Sequence, residues 1–181
     1  MGALNGTVQH FVPKAHFEAV ENDVPARLVV DKPRRIRNAR LHTAGHLVGH
    51  ILETMHPRLI PIKGYHFNEG AHVEFIDESH IALAGLIDAV NEKIVADIEA
   101  DRSVCAVMSN FNDVSARRPD LAPFIPKDTP TRTVRIGDYK ALPCGGTHMR
   151  STSELTGLQI TRVKRKKDRL KISYSLDGGR R

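Results

Sequence analysis

The chain has 181 residues, 40% of them hydrophobic and 27% charged, with a formal net charge of +6. That is enough for one domain with a substantial core, or one domain with a small appendage. No apolar run approaches the roughly twenty residues of a membrane span, and no basic stretch followed by an apolar core opens the chain, so a cytoplasmic protein with no membrane association is expected.

In chain order, Val8 to Asp31 alternate loosely and predict two short strands, His16 to Val20 and Arg27 to Val30. Residues 1–36 are read as an N-terminal segment of strands and basic residues, and 37–181 as the main domain. Asn38 is the expected N-cap of a helix from Ala39 to Met55, with Leu41, Val48, Leu52 and Met55 on its buried side and His56-Pro57 ending it. Tyr65-His66-Phe67, a turn at Asn68-Glu69-Gly70 and Ala71 to Phe75 predict a hairpin with Ala71, Val73 and Phe75 inward. From Ile81 to Ala100 the apolar residues recur at helical spacing, a core stripe that leaves Asp88, Glu92, Asp97 and Glu99 solvated.

Asn112 to Thr131, with four prolines, predicts a short helix within a long loop, followed by a strand at Arg132 to Ile136. Leu158 to Val163 and Leu170 to Leu176 predict an antiparallel pair around Lys166-Lys167-Asp168, with Leu170, Ile172, Tyr174 and Leu176 on one face. The sum is an α+β fold, a two-layer sandwich of a mainly antiparallel sheet packed with helices. Of the two cysteines, Cys105 is expected as a small buried apolar residue. With no export signal, a disulfide to Cys144 is the weaker reading.

The charge is uneven. Lys32, Arg34, Arg35, Arg37 and Arg40 cluster without an acid, and Arg162 to Lys171 holds seven basic residues against Asp168. Glu69 to Asp101, by contrast, holds nine acids and one lysine. Such asymmetry implies a polyanionic partner. The C-terminal cluster, including Lys164, Lys166 and Lys167, also fits the plain solvated face of a hairpin. Arg34, Arg35 and Arg37 lead into the helix that carries two histidines, where a bound phosphate would lie near them. The absence of Trp and the presence of only three Tyr argue against a stacking platform for long single strands.

Those histidines, in Leu41-His42-Thr43-Ala44-Gly45-His46-Leu47, are answered about a hundred residues later by Cys144-Gly145-Gly146-Thr147-His148. Four residues along a helix turn through about 400° and rise about 6 Å, so His42 and His46 share a face. The Gly145-Gly146 pair disfavours a helix and points to a tight turn bearing Cys144 and His148. Two imidazoles with a thiolate suit Zn²⁺. One metal site built from His42, His46, Cys144 and His148 is therefore predicted. His50 continues the helical face but, at about 12 Å from His42, is read as a neighbour.

HTAGHL, KGYHFNEGAHVEF and VRIGDYKALPCGGTHMRSTSEL together resemble the second additional domain shared by alanyl- and threonyl-tRNA synthetases and by the free-standing AlaX editing proteins. The likeness runs from about Arg37 to the C-terminus, and the CGGTH wording leans to the alanyl branch. The chain is too short for a complete synthetase and has no glycine-rich stretch before the HTAGH helix, so it is most similar to the short, free-standing class. The resemblance implies a zinc-dependent aminoacyl-tRNA deacylase that hydrolyses mischarged Ser-tRNA(Ala), and Gly-tRNA(Ala) as a further substrate. Its partner would be the acceptor end of tRNA(Ala), not DNA. A non-catalytic RNA-binding module with a structural zinc, and a threonyl-type editing module, are the rival readings.

Four protein ligands would close a zinc tetrahedron, whereas catalytic zinc keeps a position for water; the residues leave both roles open. No general base stands out, because HExxH and nucleophile motifs are absent. Backbone N–H groups at Gly145, Gly146 and Thr147 are candidate oxyanion donors, or simply a ligand-bearing turn. Thr43 is a candidate reader of the serine hydroxyl, although a helical threonine commonly bonds back to the preceding turn. Where similar synthetase domains often carry a polar residue before the Lys-Gly matched by Lys63-Gly64, this chain has Ile62.

Overall fold

In the computed structural model of the protein, the described residues are 2–4, 7–9, 25, 27 and 29–177. The chain divides into two compact units, Met1–Val30 and Asp31–Arg181. In the first, β1 (Gly2–Leu4) and β2 (Thr7–Gln9) pair antiparallel, Leu4 opposite Thr7. The strand predicted at His16 to Val20 lies outside the described residues. Within Arg27 to Val30, the described Arg27, Val29 and Val30 belong to no strand.

The second unit opens on α1 (Lys32–Met55). Its N-cap is Asp31, not Asn38: the Asp31 carboxylate accepts from the Arg34 N–H at 3.0 Å, and Pro33 stands in the first turn, where its fixed φ fits a helix and its missing N–H costs nothing. The basic cluster therefore forms the first turns of the helix instead of preceding it. At the other end the helix stops at Met55, and the His56 N–H still bonds to Leu52 O.

A four-stranded antiparallel sheet follows, ordered β3 (Ile60–Tyr65), β4 (His72–Ile76), β9 (Arg169–Ser175), β8 (Gln159–Lys166). β3 starts five residues before the predicted strand and ends at Tyr65. It is an exposed edge strand, which accommodates Pro61 next to a register shift. Ala71, Val73 and Phe75 point inward as expected, and so do Leu170, Ile172 and Tyr174. These side chains meet Leu41, Ala44, Leu47, Val48, Ile51 and Leu52 of α1 in one core, so the sheet and the helices form two layers.

α2 (Leu86–Glu99) is shorter than the predicted 81–100 helix, because Gly85 at φ +71° precedes it; Ile81 and Leu83 pack on the core from the loop. Asp97, expected in solvent, is buried at 4% exposure. It is tolerated there because Arg102 and the Tyr139 hydroxyl both donate to its carboxylate. A second sheet, β5 (Val104–Ser109), β6 (Thr131–Ile136), β7 (Leu142–Pro143), is antiparallel throughout. β5 was not predicted: its Val-Cys-Ala-Val-Met run is apolar, yet most of its side chains face solvent instead of alternating inward. Cys105 lies on this strand and is exposed, contrary to the buried position expected, and both cysteines are free thiols. The proline-rich segment contains α3 (Phe111–Arg117) and a 3-10 turn at Pro119–Phe124. Among the described residues no helix is long and apolar enough to cross a membrane.

Candidate metal centre

His42 and His46 leave α1 on one face, while Cys144 and His148 come from the turn after β7. One ligand atom from each of the four lies within 4.8 Å of all the others. Cys144 Sγ is 3.4 Å from His42 Nε2 and 3.3 Å from His148 Nε2. His46 Nδ1 is buried and has no hydrogen-bond partner. A buried imidazole nitrogen without a partner is costly, and an ion amid these donors is what would satisfy it. The cluster could hold a metal ion.

Local structure explains how the turn reaches the helix. A Cβ on Gly146 would stand 2.1 Å from His42 Cε1, so only glycine lets the backbone come this close. Arg132 donates from Nη1 to the carbonyls of Cys144 at 2.6 Å and Gly146 at 2.9 Å, pinning the turn to β6. The Gly146 N–H points to Cys144 Sγ at 3.4 Å. That N–H, one of the three candidate oxyanion donors, is thus directed at the sulfur, while Gly145 and Thr147 are exposed.

Thr43 is completely buried and its hydroxyl is fully used. It donates to Ala39 O at 2.8 Å, accepts from the Met149 N–H at 2.9 Å, and lies 3.3 Å from His148 Nδ1. With its one proton given to Ala39, it can only accept from His148 Nδ1. That bond leaves His148 Nε2 bare toward the cluster, the outer-shell arrangement by which ligating imidazoles are oriented. A hydrogen bond to the Thr147 backbone acts on His42 in the same region.

The imidazoles are held neutral. Burial pushes His148 down to about 3 and His66 to about 4, with neighbouring histidines adding to both and Arg132 to His148. Burial also lowers His42, and it holds His46 well below its ordinary value. Neutral rings are the form that binds a metal. His50 lies outside the cluster, stacked on Tyr139 at 5.2 Å.

Sequence reasoning passed over His66. Its ring stacks on His42 at a centroid distance of 5.0 Å, and its Nδ1 meets the Tyr174 hydroxyl at 2.6 Å. It sits in a slot between two glycines: a Cβ on Gly45 would fall 2.2 Å from His66 Nδ1, and one on Gly64 would fall 2.3 Å from Nε2. No spacing rule links His66 to the HTAGH helix. The glycines flanking it, Gly45 inside a helix and Gly64 inside a strand, are the only signal.

His46 and His66 open on a cleft of about 500 Å³, walled by Ile62, Gly64, Phe124 and Leu142. A second groove follows the start of α1, lined by Arg34, Arg37 and Asn38 with Tyr65 and Phe67. Arg34, Arg35 and Arg37 are exposed, whereas Arg40 is spent on the carbonyls of Glu154 and Thr156. Lys164, Lys166 and Lys167 are also exposed, but the β8–β9 turn stands beside Ile76, at the opposite end of β4 from His72 and Tyr65. The two basic clusters therefore do not meet.

The profile of the threonyl and alanyl tRNA synthetase second additional domain matches residues 131–171. The alanyl-tRNA editing protein AlaX-M of Methanosarcina mazei is 26% identical over 97% of this chain and 72% of its own length. The alanine-tRNA ligases of Acetivibrio thermocellus and Streptococcus gordonii are each 31% identical, over 78% and 88% of this chain. The chain spans only 16% and 18% of those ligases.

Proposed function

We propose that this chain, an AlaX-type member of the second additional domain family, is a deacylase that hydrolyses the ester of mischarged tRNA(Ala), with Ser-tRNA(Ala) as its main substrate and Gly-tRNA(Ala) as a further one. The observation that carries the reading is the convergence of His42, His46, Cys144 and His148 beside a small cleft, two of them on the helix whose first turns carry Arg34, Arg35 and Arg37. The ion is proposed as Zn²⁺, because imidazole and thiolate donors suit it. Bound there, zinc supplies Lewis acidity to an ester carbonyl or to a water.

The chain's own residues do the rest. Arg34, Arg35 and Arg37 hold phosphates of the single-stranded acceptor end, and the exposed Tyr65 and Phe67 beside them offer faces to its bases. The cleft takes the aminoacyl group against Ile62, Phe124 and Leu142. The N–H groups of the exposed residues Gly145 and Thr147 are the remaining candidate donors for charge developing on the ester oxygen. An aminoacyl ester is already activated, so positioning and a few donors suffice. Lys164, Lys166 and Lys167 would touch the tRNA backbone away from the site, and their loss would weaken binding without altering the reaction.

The need for such an enzyme has a physical origin. A pocket shaped for alanine rejects an added hydroxyl by only about a hundredfold, so serine requires removal at a second site. The test is deacylation of purified Ser-, Gly- and Ala-tRNA(Ala). Rapid loss of serine with alanine spared is expected. All three esters decaying at their spontaneous rates would overturn the proposal and favour a non-catalytic RNA-binding module.

A further inference from the structure

We infer that His66 is the residue that distinguishes serine from alanine, its Nε2 accepting a hydrogen bond from the serine hydroxyl in the cleft. The inference rests on the deacylase reading above and concerns how that site chooses its substrate. The Tyr174 hydroxyl has one proton, and Leu41 O accepts it at 3.1 Å. Toward His66 Nδ1, at 2.6 Å, Tyr174 can therefore only accept, so the ring proton sits on Nδ1 and Nε2 is left as a bare acceptor. The ring is immobilised by this bond, by its stack on His42 and by the close approach of Gly45. Fixed geometry is what turns an acceptor into a discriminator.

Nε2 lies next to Gly64, where any side chain would collide with it, and among the described residues it has no hydrogen-bond partner. The absence of a Cβ there keeps the acceptor uncovered at the wall of the cleft. The alternatives on the page are weaker. Thr43 has no free hydroxyl capacity. Ile62, Phe124 and Leu142 are apolar, Glu53 and Arg118 at the same cleft are bonded to one another, the Glu74 carboxylate faces His72 Nε2 at 3.2 Å, and Lys63 offers donors and no acceptor. His66 is thus the polar group beside the metal cluster with an acceptor to offer. Serine presents a donor hydroxyl to it, and alanine presents a methyl group that leaves it unpaired.

The experiment compares wild type with His66→Phe, which keeps a ring against His42, and His66→Gln, which restores a side-chain acceptor. Each is assayed for Ser- and Ala-tRNA(Ala) deacylation and for binding of stable amide-linked 3′-seryl and 3′-alanyl adenosine analogues, with metal content measured alongside. His66→Phe is expected to slow the serine reaction about tenfold while the alanine rate stays within about twofold. It should also lose the preference for the seryl analogue, and His66→Gln should recover part of it. Retained preference in His66→Phe, or equal loss with both substrates at full metal content, would overturn the role of His66 alone. Should wild type deacylate neither ester, the deacylase reading falls. The analogue comparison then decides the inference separately, since wild type without a seryl preference overturns it.

Discussion

Thr43 shows how much a single buried hydroxyl can decide. Placed beside His42, it suggested a contact with substrate, yet its three polar contacts are to Ala39, Met149 and His148. Thr43→Val would leave the Met149 N–H and His148 Nδ1 without a partner, a loss of about 1–3 kcal/mol for the first alone. The expected outcome is a lower melting temperature, metal affinity reduced about 10–100-fold and equal slowing with serine and alanine esters. A selective loss of the serine reaction, measured on the same tRNA preparations, would return Thr43 to the substrate. Arg132 acts similarly from β6, its guanidinium gathering two carbonyls of the ligand turn. Arg132→Lys keeps the charge but not the fork, so weaker metal retention under chelator challenge is expected.

Among the elements, α1 carries both the proposed phosphate-binding arginines and two of the candidate metal ligands. Arg34, Asn38, His42 and His46 follow one another at four-residue steps, so Arg34 precedes His42 by about 12 Å along one helical stripe. In the proposed function, an RNA end held at the first turns would be aimed along the helix at the histidines. Replacing Arg34, Arg35 and Arg37 with Ala should weaken tRNA binding. Because each lost phosphate contact removes about 0.7 from the slope of log K against log salt for a single strand, the salt dependence should flatten. Rates at saturating tRNA should change little. Binding unaltered across a salt titration would make these arginines mere surface.

At the scale of the Asp31–Arg181 unit, the cluster joins α1 to the turn after β7, since its candidate ligands come from segments separated by about a hundred residues. If the cluster holds the proposed zinc, chelation should lower the melting temperature and added zinc should restore it. In the metal-free protein the histidines carry a pH dependence whose sign follows from burial. His148 and His66 are pushed down to about 3 and about 4 from 6.5, so between these values the unfolded chain binds protons that the folded chain refuses. Stability from these rings is complete above pH 6.5 and is lost as the pH falls toward 4. Melting curves of chelated protein across that window should show the loss, and a flat profile would contradict it.

The α+β class, the HTAGH helix, the inward faces of β4 and β9, and the four candidate ligands were legible in the sequence, because each rests on short-range periodicity or on rare residue types at fixed spacing. What local pattern could not supply was decided by tertiary contact. β3 was predicted only at its last residue and β5 not at all, because neither strand alternates buried and exposed side chains. Asp97 is buried because Arg102, just beyond the end of α2, and Tyr139, from a segment further along the chain, neutralise its cost. Most of all, the place of His66 depends on two glycines from different elements and on a tyrosine more than a hundred residues away. Spacing along a chain can nominate a metal ligand. Only the packed fold determines which ring nitrogen faces a cleft, because that choice is made by the partner of the other nitrogen.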